Sequence, residues 1–92
     1  MLQGKNALVT GSTRGIGAAI AAVLAAEGCN VMLNGFGDAA AIEAARQGLA
    51  DKHGVAVAYH GADLADDTEI DALTDAANEA FGGIDILVNN AV

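Results

Sequence analysis

Eight residues near the start of the chain have the types and spacing to do chemistry: Thr10-Gly11-Ser12-Thr13-Arg14-Gly15-Ile16-Gly17. They follow a short apolar run, Asn6-Ala7-Leu8-Val9, and open an alanine-rich amphipathic stretch. A glycine-rich turn between a buried strand and a helix is how a βαβ unit holds a pyrophosphate. Gly11 allows the tight turn, and the missing side chains let the backbone come close to the phosphates. Gly17, the last glycine, lets helix and strand pack closely. The helix that follows aims its unpaired N–H groups at the anion. The pattern therefore predicts a dinucleotide site.

The elements that would position this turn read clearly along the chain. Residues 6–10 form a short continuous apolar run, as in a strand buried on both faces. Residues 15–27 read as a helix, with Ile16, Ile20, Val23 and Leu24 as its apolar stripe and alanines filling the rest. Gly28 stops it. Residues 30–33 are a second strand. Asp38 is an N-cap, and residues 39–53 a helix with Ile42, Ala45 and Leu49 on one face. Gly54 closes it, and residues 55–59 are a third strand. Asp66 or Asp67 opens a third helix, in which Ile70, Leu73, Ala77 and Phe81 share a face. Gly82-Gly83 ends that helix, and residues 84–88 are a fourth strand. Strands alternating with helices of this length predict a parallel sheet with right-handed crossovers. The expected fold class is α/β, a three-layer Rossmann-type half with sheet order 3-2-1-4 and helices on both faces. Residues 1–92 make one domain, with no repeats, linkers or proline.

Composition excludes several function classes. The net charge is −8, and the basic residues are Lys5, Arg14, Arg46 and Lys52. Nucleic acid needs a basic footprint, so no nucleic-acid partner is expected. An anionic membrane surface is excluded on the same ground. A dinucleotide is not, because backbone dipoles hold its pyrophosphate. No run of about 18 apolar residues reads as a membrane span. Met1-Leu2-Gln3-Gly4-Lys5 leads into a strand pattern rather than a signal peptide, so a cytoplasmic location is expected. Cys29 precedes an apolar run and reads as a buried apolar residue with no activating neighbour. Asp63, Asp66, Asp67, Glu69 and Asp71 lack the alternation of a calcium loop. Asp66, Asp67 and Glu69 suit a helix N-terminus. His53 and His60 are too far apart along the chain to form a zinc pair. No metal is expected.

The run Thr10–Gly17 resembles the T-G-x-x-x-G-x-G fingerprint of the short-chain dehydrogenase/reductase family. Two later motifs agree in position. Asp63 follows the third strand, where the family places an Asp that hydrogen-bonds adenine. Asn89-Asn90-Ala91 follows the fourth strand and matches the start of the family's N-N-A-G motif. The resemblance covers the whole chain, but only the first half of a typical member. It implies Gly11, Thr13, Arg14, Gly15, Ile16 and Gly17 at the phosphates, Phe36 at the adenosine, and Asp63 and Leu64 at the adenine. Asn90 would contact the nicotinamide ribose, and Asn89 would brace the loops. The stretch Asn34-Gly35-Phe36-Gly37-Asp38-Ala39-Ala40 is similar to family members that oxidise a small hydroxy acid, D-3-hydroxybutyrate, with NAD. Homo-oligomerisation is implied for the intact enzyme, and exposed edges would make the isolated chain associate. Two departures stand out. Val92 occupies a position where the family has Gly. The family's catalytic Ser, Tyr and Lys would lie beyond residue 92. Tyr59, the one tyrosine, sits in a strand and is not read as catalytic.

The cofactor reading weighs two features. An acid at the end of the second strand often selects NAD. Here Asn34, Gly35 and Phe36 stand there instead. Phe36 against the adenosine leaves no partner for a 2′-phosphate, and Asp38 adds negative charge; both favour NAD. Arg14 points to NADP, because its guanidinium could reach a 2′-phosphate, unless it is an exposed turn residue paired with an acid. NAD is the expectation, with NADP as the weaker alternative. Asp85 would cap the amino-terminal end of the sheet or pair with Lys5. Two other functional readings stay open: an NADPH-dependent 3-oxoacyl reductase of the same family, and a stand-alone nucleotide-binding module without catalysis.

Overall fold

The computed structural model describes residues 2–90. Met1 lies outside the described residues, as do Ala91 of the Asn-Asn-Ala motif and Val92. The elements are β1 (Asn6–Val9), α1 (Gly15–Ala26), β2 (Asn30–Leu33), α2 (Ala39–His53), β3 (Val57–Tyr59), α3 (Asp67–Phe81) and β4 (Ile86–Val88). The sheet is parallel throughout and runs β3-β2-β1-β4, as predicted. β1 is central and pairs on both sides, Ala7 with Val31 and with Ile86. Its apolar run is continuous for that reason: Ala7, Leu8 and Val9 are all buried.

Alternation along the strands builds two cores. Ala7, Val9, Val31, Leu33 and Val57 face α1, with Leu49 and Ala50 of α2 packed against them. Leu8 and Met32 face α3 through Leu73 and Ala77. Helices therefore cover both faces. Among the described residues no helix is long and apolar enough to cross a membrane.

The orientation of α1 departs from the sequence reading. Gly17, Ala21 and Ala25 are its buried residues, whereas Ile16 is 75% and Val23 63% exposed. Residues four apart share one helix face, and this face carries almost no side chain. The helix axis thus comes close to the sheet. Larger residues in that row would hold the first turn of α1 away from the β1 turn. The expected stripe instead looks outward at Ile16 and Val23, while Ile20 and Leu24 are half-buried at its margin.

Polar side chains finish the strands at their amino-terminal end. Asn6 Nδ2 donates to the Phe81 carbonyl at 3.1 Å, and Asn30 Nδ2 donates to Asn6 Oδ1 at 2.9 Å. Asn30 Oδ1 accepts from the Ala56 N–H at 3.1 Å. Asp85 Oδ2 accepts from the Asn6 N–H at 2.9 Å, so Asp85 caps the sheet end. Side chains thus replace part of the ladder at Ala56 and Asp85. The third and fourth strands accordingly begin at Val57 and Ile86, two residues later than predicted. Cys29 is fully buried, and burial pushes its thiol up, as suits a protonated, inert core residue.

Two helices carry side-chain caps. Asp38 Oδ2 accepts from the Ala41 N–H at 2.9 Å, and Asp66 Oδ1 from the Thr68 N–H at 2.9 Å. The Thr68 hydroxyl also donates to Asp66. That hydroxyl, followed by the Thr68 N–H, holds the Asp66 carboxyl below its usual range. A lowered native value means that the cap stabilises the fold above the ordinary carboxylate pKa and is lost as pH falls through the lowered one. Asp66→Ala is therefore expected to melt at a lower temperature near neutral pH. The gap should narrow as acid protonates Asp66. Thermal melts of both chains across an acid series check this, and a gap independent of pH would rule out the carboxylate cap.

Candidate functional site

The glycine-rich turn is built by a close contact. Gly11 takes a φ of 60°, which glycine adopts without strain. A Cβ on Gly17 would run into the Gly11 carbonyl and lie 2.6 Å from Asn90 Nδ2. Asn90 Nδ2 donates to that same carbonyl at 3.2 Å, and the Asn90 N–H donates to Thr10 Oγ1 at 2.9 Å. The turn is thereby held from the end of β4 and from the first turn of α1 at once.

α1 is the helix without a side-chain cap: its N-cap is Arg14, whose side chain makes no capping bond. The Ala18 N–H reaches the Arg14 carbonyl at 3.3 Å. The N–H groups of Gly15, Ile16 and Gly17 have no partner among the described residues. They point out of the helix's positive end, where an anion is favoured. Arg14 is exposed and makes no ion pair among the described residues, so the acid partner weighed for it is not found.

The other predicted residues gather at the carboxyl ends of the strands. Phe36 follows β2, and Asp63 and Leu64 follow β3. All three line one cleft of about 420 Å³, together with Asn34, Gly35, Ala62, Ala65 and Asn89. Phe36 is 63% exposed. Asp63 is exposed, and its Oδ1 accepts from the Ala65 N–H at 3.0 Å. Asn89 lines the cleft and its Oδ1 accepts from the Thr10 hydroxyl at 3.4 Å, a bracing contact, while Asn90 Nδ2 donates to the Gly11 carbonyl. A second hollow of about 430 Å³ lies between α1 and α2, against Leu33, Ile42 and Leu49. Its lining is apolar, and it lacks the converging polar groups of the cleft.

Three residues that the sequence reading did not assign hold these loops together. Asn34 is 2% exposed. Its Oδ1 accepts from the Gly11 N–H at 3.4 Å, and its Nδ2 donates to the carbonyls of His60 and Ala62 at 3.0 and 3.1 Å. Ser12 Oγ donates to the Val9 carbonyl at 2.7 Å and accepts from the Asn34 N–H at 2.9 Å. Tyr59 donates its hydroxyl to the Gly35 carbonyl. An amide placed directly after three core residues is the one signal the sequence offers for Asn34. His60 is half-buried at the end of β3, with Nδ1 unpartnered among the described residues.

Asn34→Leu would leave the His60 and Ala62 carbonyls without their donor. An unmet buried group costs roughly 1–3 kcal/mol. The variant is expected to lose about 2–4 kcal/mol of stability, measured by urea denaturation. A loss below about 0.5 kcal/mol would mean that water replaces the amide.

Known proteins resemble this chain in sequence and fold. The model of the short chain dehydrogenase family matches residues 5–92. The D-beta-hydroxybutyrate dehydrogenase of Cupriavidus necator is 55% identical over 92 residues, covering 99% of this chain and 34% of that protein. A short chain dehydrogenase from Burkholderia cenocepacia, solved in complex with NADP, superposes with a TM-score of 0.89. It is 48% identical, over 98% of this chain and 36% of that one. L-Sorbose reductase from Gluconobacter frateurii, solved with NADPH and L-sorbose, superposes at 0.90 with 40% identity, over 98% of this chain and 34% of its own. The chain thus spans about a third of the length of these relatives.

Proposed function

The chain belongs to the short chain dehydrogenase family, and on that premise we propose that it is the NAD-binding portion of a dehydrogenase that oxidises D-3-hydroxybutyrate to acetoacetate. One observation carries the reading: at the start of α1 three N–H groups have no partner among the described residues, and the ends of the next two strands form a cleft. A pyrophosphate fits the first and an adenosine the second. In this reading Gly11, Thr13, Arg14, Gly15, Ile16 and Gly17 hold the phosphates. Phe36 lies against the adenosine, Asp63 and Leu64 hold the adenine, and Asn90 stands by the nicotinamide ribose. The hydroxybutyrate substrate rests on the likeness to the Cupriavidus enzyme, and it would be turned over only in the longer protein, where the family's Ser, Tyr and Lys would act. The reading carries a cytoplasmic location with it.

NAD is preferred because Phe36 supplies no positive charge for a 2′-phosphate and because the nearby Asp38 carboxylate, held at the start of α2 by its capping bond, adds negative charge that would repel one. A second reading, an NADPH-dependent 3-oxoacyl reductase, draws on Arg14, which is exposed in the turn and makes no ion pair among the described residues. The NADP and NADPH in the solved relatives support it too. Titrating the chain into NADH and into NADPH decides between them. The chain has no tryptophan, so nicotinamide fluorescence reports cleanly. Saturable, tighter binding of NADH is expected. Preference for NADPH would make Arg14 the selector and favour the reductase, and binding of neither would overturn the half-site.

The same reading makes the parent a homo-oligomer. Ile16, Val23 and Leu87 are large apolar side chains more than 60% exposed, and β4 is an edge strand. Unpaired edges and apolar patches associate. The isolated chain is expected to sediment as a dimer or larger at high concentration, and a clean monomer would count against this.

A further inference from the structure

The loop between β2 and α2 is held in an unusual way. Phe36 stands between Gly35 and Gly37, with φ of 150° and 152°. L side chains rarely take that conformation, so the backbone on either side of the ring is a glycine hinge. Packing does not fix the ring, since it is 63% exposed. Two hydroxyls fix it instead. The Tyr59 hydroxyl donates to the Gly35 carbonyl at 2.5 Å, and the Thr13 hydroxyl donates to the Phe36 carbonyl at 2.9 Å.

Both bonds need a bare glycine beside them. A Cβ on Gly61 would lie 2.7 Å from the Tyr59 hydroxyl oxygen, and a Cβ on Gly35 would lie 2.6 Å from Thr13 Oγ1. Tyr59 is anchored at its other end, because its ring packs on the core under α1 and α2. A strut therefore runs from the core, through one hydroxyl, to the first carbonyl of the loop. The second carbonyl is tied to the glycine-rich turn.

We propose that Tyr59 is a positioning residue for the dinucleotide: through the Gly35 carbonyl it sets where the Phe36 ring lies and thereby raises affinity for the adenosine half without touching it. This rests on the reading above that places adenosine at Phe36. Without the strut, the Thr13 hydroxyl alone ties the loop, and the two glycines let the ring sample more positions. Fixing it again on binding then costs entropy that the native loop has already lost.

Tyr59→Phe keeps the half-buried ring and removes the hydroxyl. It is expected to weaken binding of NADH, followed by nicotinamide fluorescence, and of AMP, followed by calorimetry, each by about tenfold, the scale of one net hydrogen bond. The discriminating measurement is the same substitution in a Phe36→Ala background. With no ring to position, Tyr59→Phe should there change affinity less than twofold, even though any loss of stability persists. Gly61→Ala displaces the same hydroxyl and should repeat the loss, which keeps the test available if Tyr59→Phe folds poorly. Unchanged affinity in Tyr59→Phe and Gly61→Ala, while the unsubstituted chain binds, overturns the inference alone. An equal loss with and without Phe36 also overturns it, because the effect would then be general loosening. Failure of the unsubstituted chain to bind NADH or AMP overturns the underlying reading, and the inference falls with it.

Discussion

A helix can aim its first N–H groups at a ligand only when its first turn sits tight against the end of the preceding strand. Here that constraint is the contact of Gly17 with the Gly11 carbonyl, where no Cβ fits. Much of the molecule follows from it. The row that continues down the helix from Gly17 is Ala21 and Ala25, since any larger side chain would lever the first turn outward. Of the large apolar residues of α1, Ile16 and Val23 are displaced to its outer side, while Ile20 and Leu24 flank the row and pack on the core from its margin. The helix also forgoes a side-chain cap, which α2 and α3 both have. A capping carboxylate at Arg14 would occupy the N–H groups and repel an incoming phosphate.

Parallel strands this short would end in frayed backbone, and asparagine amides deal with both ends. At the amino-terminal end, Asn6 and Asn30 form a chain of donors and acceptors from Phe81 to Ala56. At the carboxyl end, Asn34 joins the turns after β1, β2 and β3 through one buried side chain. The two ends differ in what remains. The first is closed by Asp85. The second leaves a cleft open, with the loops around it braced from beneath. An amide serves here because it donates and accepts at once. A carboxylate in the same place would bury a charge and lose both donations.

Much of this was legible in the sequence, for physical reasons that also mark where legibility ends. Strand order and helix limits follow from alternation, glycine stops and aspartate caps, which are local signals; Asp38, Gly54 and Gly82 stand where expected. The inward face of α1 was misread because hydrophobicity ranks isoleucine over alanine, whereas the contact at Gly17 is decided by size. The two late strand starts have the same kind of cause. Asn30 and Asp85 replace ladder bonds with side-chain bonds, and no pattern within one strand reveals a partner 26 or 79 residues away. The residues proposed for the cofactor could be named from their motifs, but those that hold them could not. Asn34, Ser12 and Tyr59 act through single atoms on distant backbone groups.

A net charge of −8 counts against the proposed pyrophosphate site only until distance is considered. Charges on the solvent-exposed surface are screened beyond about 8–10 Å in physiological salt. The acids of α3 and Asp38 are exposed and partly spent on capping N–H groups. At the turn itself the local sign is reversed. Three backbone N–H groups lie at the positive end of α1, and Arg14, which makes no ion pair among the described residues, is its N-cap. Backbone dipoles fixed by packing need no reorganisation to meet an anion. Their field is governed by the Gly11–Gly17 contact rather than by composition. An acidic surface of this kind repels the extended rows of phosphates in nucleic acids and anionic membranes, whereas the proposed dinucleotide would present its two phosphates to one turn.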